Sequence, residues 1–526
     1  MRATLYCLTA LALPLLLSAC AAPAAWPMLP TTTAHGELVT TDACRSRLAN
    51  LPDDAECWML AVPERPADAG SRILSVPVVR LPATGSEPGE PVFWLEGGPG
   101  SSNLSYRPPD WLRRDHDVVL VGYRGVDGPV RLTCPETAAI LRDAMGVRAL
   151  QPQTRAEAVA ATRRCAERLE ADGIDLAQYT IPAVIADLEY AREALGYPRI
   201  NLLAVSYGTR IAQLYAYLHP NRLNRVVLVG VNPPGRFVFD PAELDEGLNH
   251  LAGLCAADLD CRSRTPDLAE TFRSVSHAMP TEWMGFPIDA GTVRVGMHAL
   301  FFSRDTIPLG VDAYLAAAEG DPAGLALLNV AVRVLLPVDQ IVLGDQLSKG
   351  GSADLEVYRS IQDLFPATAT LGAPLSELLW SLSDGWPATL IAPELRELQT
   401  SDTQMLIVNG TVDFSTPPAN LEATRPYYTN AQYVVIANLG HVDDILSSQP
   451  LAFERLLTSY FDTGNADASG YTEAPLSFRP LIGLPTLARL LVGAGGLMIG
   501  ALVVVLIRVG LRRSRARAQA PGSRPG

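Results

Sequence analysis

The sequence predicts an α/β fold: a mostly parallel sheet with a large helical lid inserted before its last strands. Three observations predict it. Short apolar runs, often β-branched, recur at Ile73–Leu81, Val92–Leu95, Val118–Gly122, Ile200–Val205, Val226–Val231, Met405–Val408 and Tyr433–Ala437. Runs of this kind suit strands buried on both faces. Helical patterns lie between some of them. Val184, Leu188, Ala191 and Leu195 share one face, and so do Ile211, Leu214, Tyr215 and Leu218. Strands alternating with helices imply a parallel sheet. Finally, the runs stop after Val231 and resume at Met405, and the stretch between reads as mostly helical. The body therefore divides into a first core part over 41–234, a lid over 235–402 and a second core part over 403–468.

The 526 residues carry a formal charge of −14, and 48% of them are hydrophobic. A disordered chain is excluded by that apolar fraction. Nucleic acid is excluded as a partner by the acidic balance, because phosphate binding needs Lys and Arg. Lys349 is the single lysine against 41 arginines, a bias from which no function is read.

Both ends point to an exported, membrane-bound body. Residues 1–20 place Arg2 before an apolar run from Leu5 to Leu17, the form of a secretory signal. The run ends Leu17-Ser18-Ala19-Cys20, which resembles the lipobox of bacterial lipoproteins and implies lipidation of Cys20. Residues 21–40, rich in Ala, Pro and Thr, read as a tether. A membrane helix is expected over 487–508, where Leu490 to Ile507 carries no charge. Arg508, Arg512, Arg513, Arg515 and Arg517 follow, so the tail 509–526 is expected in the cytoplasm and the body on the periplasmic or extracellular side. A processed C-terminal sorting tail stays open beside a retained helix.

Apart from Cys7 and Cys20, six cysteines remain. Six allow 15 pairings, and sequence alone selects none of them. Their clustering favours neighbours: Cys44 with Cys57, Cys134 with Cys165, Cys255 with Cys261. No Cys-x-x-Cys occurs and no His stands at ligand spacing, so neither a metal nor a cofactor is expected.

The chemistry concentrates in a few turns. Ile200-Asn-Leu-Leu-Ala-Val-Ser206-Tyr207-Gly208-Thr-Arg-Ile runs from strand through a tight turn into a helix, as a nucleophile elbow does. Ala204 stands where the usual motif has its first Gly. The turn Glu96-Gly97-Gly98-Pro99-Gly100-Ser101 follows another strand and frees backbone N–H groups. One of them, with Gly97 and Gly98 both open, suits an oxyanion hole when paired with the Tyr207 N–H. A Ser nucleophile needs a base and an orienting acid, in chain order Ser, acid, His. His441, directly after the Tyr433–Ala437 run, fits the base. Asp413, in the turn after Met405–Val408, fits the acid. Asp443 and Asp444 lie too close in sequence to His441 to face its inner nitrogen. His219, His250, His277 and His298 are read as capping, structural or solvated.

These pieces resemble the α/β-hydrolase serine aminopeptidases, the group of prolyl and tripeptidyl aminopeptidases. The resemblance rests on Gly97-Gly98-Pro99-Gly100-Ser101, Val205-Ser206-Tyr207-Gly208-Thr209-Arg210, Val412-Asp413 with Pro417, and Gly440-His441. It covers about 40–465 and includes the Cys positions of secreted members. It implies the α/β-hydrolase fold, Ser206, Asp413 and His441 as the triad, and Gly98 with Tyr207 at the oxyanion hole. Removal of residues from a free peptide N-terminus is also implied, with an acid binding the α-ammonium. Glu96 is one candidate; Asp245 and Glu246 are others. Gly122-Tyr123-Arg124-Gly125 departs from the family's Asp-Gln-Arg-Gly. A carboxylesterase of the same fold and a non-catalytic anchored module stay open as alternatives, as does the oligomeric state.

Overall fold

The computed structural model describes residues 25–48, 51–68, 70–335 and 341–494. Among them one nine-stranded sheet organises the body. Its strands are β1 (Leu38–Thr40), β2 (Glu56–Pro63), β3 (Ile73–Leu81), β4 (Val92–Leu95), β5 (Val118–Val121), β6 (Ile200–Val205) and β7 (Leu223–Val229). A small hairpin, β8 (Glu282–Trp283) with β9 (Phe286–Pro287), stands apart, and β10 (Met405–Gly410) and β11 (Ala431–Ile436) complete the sheet. Strand order is β1-β2-β3-β5-β4-β6-β7-β10-β11. Every neighbouring pair from β5 to β11 is parallel, whereas β1, β2, β3 and β5 pair antiparallel in turn.

The central strands are buried along their whole length, which is why they read as continuous apolar runs. Their side chains alternate between two cores. Leu202 and Ala204 point into one, with Val184, Leu188, Ile211 and Leu214 of the helices Ile181–Ala194 and Tyr207–Leu218. Leu203 and Val205 point into the other, with Leu112 of Asp110–Asp115 and Phe453, Leu456 and Tyr460 of Pro450–Thr463. Leu218, expected on the buried face, is exposed because its helix ends there.

Between β7 and β10 the described elements are helical apart from the β8–β9 hairpin. Four of these helices begin at aspartates whose carboxylates accept first-turn N–H groups: Asp240, Asp258, Asp267 and Asp289. Disulfides join Cys44 to Cys57, Cys134 to Cys165 and Cys255 to Cys261, with Cα separations of 6.2, 5.4 and 5.2 Å.

One expectation needs correction. Residues 25–40 are not a loose tether. Leu38–Thr40 pairs with β2, the Leu29 N–H donates to Ser75 Oγ (2.8 Å), and Trp26 is buried with Arg47 over its ring. An apolar ring and an unpaired strand edge outweigh the Ala/Pro/Thr composition. Of the expected membrane helix over 487–508, only residues 487–494 are described. Residues 484–494 are helical, Ala488 is buried and Arg489 pairs with Asp321 (2.7 Å). Among the described residues no helix is long and apolar enough to cross a membrane. Residues 495–508, the signal 1–20 with Cys20, and the tail 509–526 lie outside the described residues.

Candidate active site

The parallel strands bring their carboxyl ends level. Leu95 pairs with Ala204, Val205 with Val229, and Val229 with Val408. The turns that follow these strands therefore meet at one edge of the sheet. Ser206 occupies the turn after β6 with φ 51° and ψ −126°, an unfavourable conformation for a residue with a side chain. Strand and helix cross closely at this turn: a Cβ on Gly208 would lie 2.2 Å from the Leu95 carbonyl oxygen. The constraint falls on position 208, whereas Ala204 sits in the strand, fully buried in the core.

Three side chains from three turns form a chain of contacts. His441 Nε2 lies 2.9 Å from Ser206 Oγ, and its Nδ1 lies 2.8 Å from Asp413 Oδ2. Asp413 is buried, and its other oxygen accepts the N–H groups of Ser415 and Thr416, both at 2.8 Å. The Thr416 hydroxyl donates to Asp413 Oδ2 (2.8 Å), so one carboxylate receives three protein donors besides the imidazole. Thr416 was not singled out from sequence; its place three residues after Asp413 is the signal that could have found it. His441 is held from the lid side, where its N–H donates to the Phe302 carbonyl (2.6 Å). Gly230 leaves room for the ring: a Cβ there would lie 3.1 Å from His441 Cε1.

The rival residues lie elsewhere. Asp444 accepts the Gly440 and Arg304 N–H groups and the Ser303 hydroxyl. Asp443 is exposed at the cavity rim. His219 lies 4.0 Å from Glu189, and His250 is exposed. His277 contacts the Ala369 carbonyl (2.7 Å), and His298 contacts that of Phe414 (3.2 Å). Burial lowers the His298 pKa to about 4, which keeps that ring neutral.

The Gly97–Ser101 turn arches beside Ser206. The Gly97 N–H donates to Glu96 Oε1 (2.9 Å), whereas among the described residues the Gly98 and Tyr207 N–H groups meet no acceptor. The latter two are thus available to a ligand oxygen, and Gly97 is not. Behind the turn, Asp127 accepts the Ser102 hydroxyl (2.6 Å) and the N–H groups of Asn103 and Tyr123. The Tyr123 hydroxyl donates to the Glu96 carbonyl (3.1 Å), and Arg124 is paired with Asp187 in the core. The Gly-Tyr-Arg-Gly departure thus supports the turn from below.

A cavity of about 500 Å³ opens over Ser206. The sheet edge supplies its floor, and Phe237, Phe239, Phe302, Leu375, Leu379 and Trp380 supply an apolar wall from the inserted segment. Glu96 and Asp443 are the carboxylates lining it; Asp245 and Glu246 do not. Asp245 instead accepts the Thr370 N–H (2.9 Å). Burial raises the Glu96 pKa, the Gly97 N–H and the Trp94 indole N–H oppose the rise, and the negative charge of Asp443 adds to it. Among the described residues no three His, Cys, Asp or Glu gather as a metal site.

A family model of the alpha/beta hydrolase fold matches residues 90–299, which include both the Gly97–Ser101 turn and Ser206. The chain has the α/β-hydrolase fold. A second model, described as TAP-like protein, matches residues 372–473, with Asp413 and His441 inside. The tripeptidyl aminopeptidase of Streptomyces lividans is 29% identical over 210 residues, 38% of this chain and 39% of that protein. Serine protease Hip1 of Mycobacterium tuberculosis is 28% identical over 254 residues, 43% and 46% of the two chains. The matches thus span less than half the length of these curated relatives. Among solved structures, a serine hydrolase from Cycloclasticus zankles is 14% identical at a TM-score of 0.36, covering 78% of this chain and 100% of that one. A meta-cleavage product hydrolase from Pseudomonas fluorescens is 17% identical at a TM-score of 0.33, covering 74% and 96%.

Proposed function

We propose that this α/β hydrolase removes residues from the free N-terminus of exported peptides through an acyl-enzyme on Ser206. The observation that carries the reading is the unbroken chain Ser206 Oγ–His441 Nε2, 2.9 Å, and His441 Nδ1–Asp413 Oδ2, 2.8 Å. In this reading His441 takes the Ser206 proton as the oxygen attacks the scissile carbonyl. Asp413 holds the Nδ1–H tautomer and stabilises the imidazolium. The tetrahedral oxyanion accepts the Gly98 and Tyr207 N–H groups. His441 then protonates the departing amine, and water, deprotonated by His441, releases the acyl group.

Glu96 is proposed to receive the substrate's α-ammonium, with Asp443 across the same cavity. The TAP-like match and the tripeptidyl aminopeptidase relative support a peptide substrate. The apolar wall favours a second reading, hydrolysis of esters with apolar acyl groups, which needs the same triad and no ammonium site. The body is proposed to act outside the cytoplasmic membrane, held by a lipid on Cys20 and by the apolar segment up to Ile507. Three disulfides suit an oxidising compartment.

The test uses the full chain in detergent on chromogenic tripeptide amides, free and N-acetylated, beside Ser206→Ala. Cleavage of the free amides alone, lost by ~10⁴-fold or more in the variant, is the expected result. Ester hydrolysis without amide cleavage would replace the peptidase reading by the esterase one. No Ser206-dependent turnover of either class would leave the non-catalytic module.

A further inference from the structure

The helix Leu343–Ser360 belongs to the inserted segment, yet it is buried at positions spread over most of its length. It holds the chain's single lysine. Lys349 is fully buried, its Nζ lies 2.5 Å from Asp345 Oδ1, and it donates to the Arg124 carbonyl (3.2 Å). The other Asp345 oxygen accepts the Gly100 N–H (3.1 Å). The Gly100 carbonyl in turn accepts the N–H of Val342, the residue preceding the same helix (3.1 Å). Both polar groups of Gly100 are therefore taken by the start of one helix. Gly98 is folded against this point: a Cβ built on it would lie 3.3 Å from the Gly100 nitrogen and 3.1 Å from that of Ser101.

The far end of the helix grips the other half of the site. Asp354 is fully buried and receives both terminal nitrogens of Arg210, at 3.1 and 3.2 Å. Arg210 lies on the helix that begins at Tyr207, and it also donates to Asn232 and Pro233. Asp354 further accepts the N–H of Phe237, a residue of the cavity wall.

We propose that the helix Leu343–Ser360 is a strut that sets the spacing of the two oxyanion-hole amides, with Asp345, backed by Lys349, positioning the Gly98 side and Asp354, through Arg210, positioning the Tyr207 side. A buried ion pair is a weak source of stability, because desolvation offsets most of its attraction. A positioning role accounts for its presence against the turn. Oxyanion stabilisation depends on donors held in advance where charge will develop. A displacement of about 1 Å there is enough to cost ~10² in rate. On this view the inserted segment does more than shape the cavity; it completes the catalytic frame.

The inference rests on acyl transfer at Ser206 and not on peptide as the substrate, so the test uses an ester. Two double variants of the full chain are compared, Asp345→Asn with Lys349→Met and Asp345→Leu with Lys349→Met. Both remove the ion pair without leaving a buried lone charge. They differ in whether the Gly100 N–H retains an acceptor. For p-nitrophenyl butyrate the Asn variant is expected to keep kcat within about tenfold of wild type. The Leu variant is expected to lose ~10²-fold in kcat with KM changed by less than about threefold. Affinity for a boronic acid, whose adduct with Ser206 presents the oxyanion, should fall in parallel with kcat. Equal kcat in the two folded variants would overturn the strut. Should the Leu variant fail to fold, Asp354→Asn reads the other end, where a tenfold or greater loss of kcat at constant KM is expected and an unchanged kcat would overturn the proposal. The wild type is first titrated with a fluorophosphonate. Inertness there overturns the acyl-transfer reading, and the strut with it, whereas a reactive wild type leaves the variants to judge the strut alone.

Discussion

Two regions surround Ser206, and they contribute in different ways. From the sheet edge come short turns that act through neighbours in sequence. Asp413 is held by Ser415 and Thr416, and Gly97 is bonded by the adjacent Glu96. From the inserted segment come groups that act across long separations. Asp345 reaches Gly100 across 245 residues, Asp354 reaches Arg210 across 144, and Phe302 holds the His441 N–H. The first region carries the groups suited to bond making and breaking. The second carries the cavity wall and the supports behind the turns. Damage to the first should therefore appear in kcat, damage to the cavity wall in KM, and damage to the supports behind the turns in kcat, through the geometry they hold.

The largest effect expected is Asp413→Asn. The amide can present its N–H to His441 Nδ1 and so favours the wrong tautomer, and kcat should fall by ~10⁴ while the fold persists. Steady-state kinetics beside circular dichroism would check it, and a variant within tenfold of wild type would remove Asp413 from the triad.

His298 sharpens the comparison from the inserted side. Its pKa is lowered from 6.5 to about 4 by burial, so between those pH values the unfolded chain binds more protons than the folded one. Its contribution to stability is present above pH 6.5 and is lost as pH falls through that window, by up to about 1.4 kcal/mol per pH unit. Urea unfolding at pH 7 and pH 4.5 should show this loss, and His298→Gln should shrink it.

Smaller changes follow at the wall and the rim. Trp380→Ala removes apolar surface that meets ground state and transition state alike, so KM should rise about tenfold with kcat nearly unchanged. A fall in kcat instead would mean that the wall also orients the reacting bond. Glu96→Gln should raise KM about threefold for free-amine substrates only, the size expected of a partly solvated ion pair. Because the Glu96 pKa is raised, it is less ionised at low pH, and wild-type KM for free amines should fall as pH rises through that value. The variant should lack this dependence.

Sequence alone determined the fold class, because strands buried on both faces must be apolar along their length and the helices between them leave a 3.6-residue pattern. It also singled out Ser206, Asp413 and His441, since each sits in a turn just after an apolar run and turn chemistry is local. Local composition misled at 25–40, where Trp26 and Leu38–Thr40 are covered by distant partners. Only the tertiary structure decided which turn amides stay free, because the bond that occupies Gly97 and leaves Gly98 open depends on how Glu96 packs under the cavity. It alone revealed Asp345, Lys349 and Asp354. Their meaning lies in contacts made more than a hundred residues away, and no spacing along the chain records a contact of that kind.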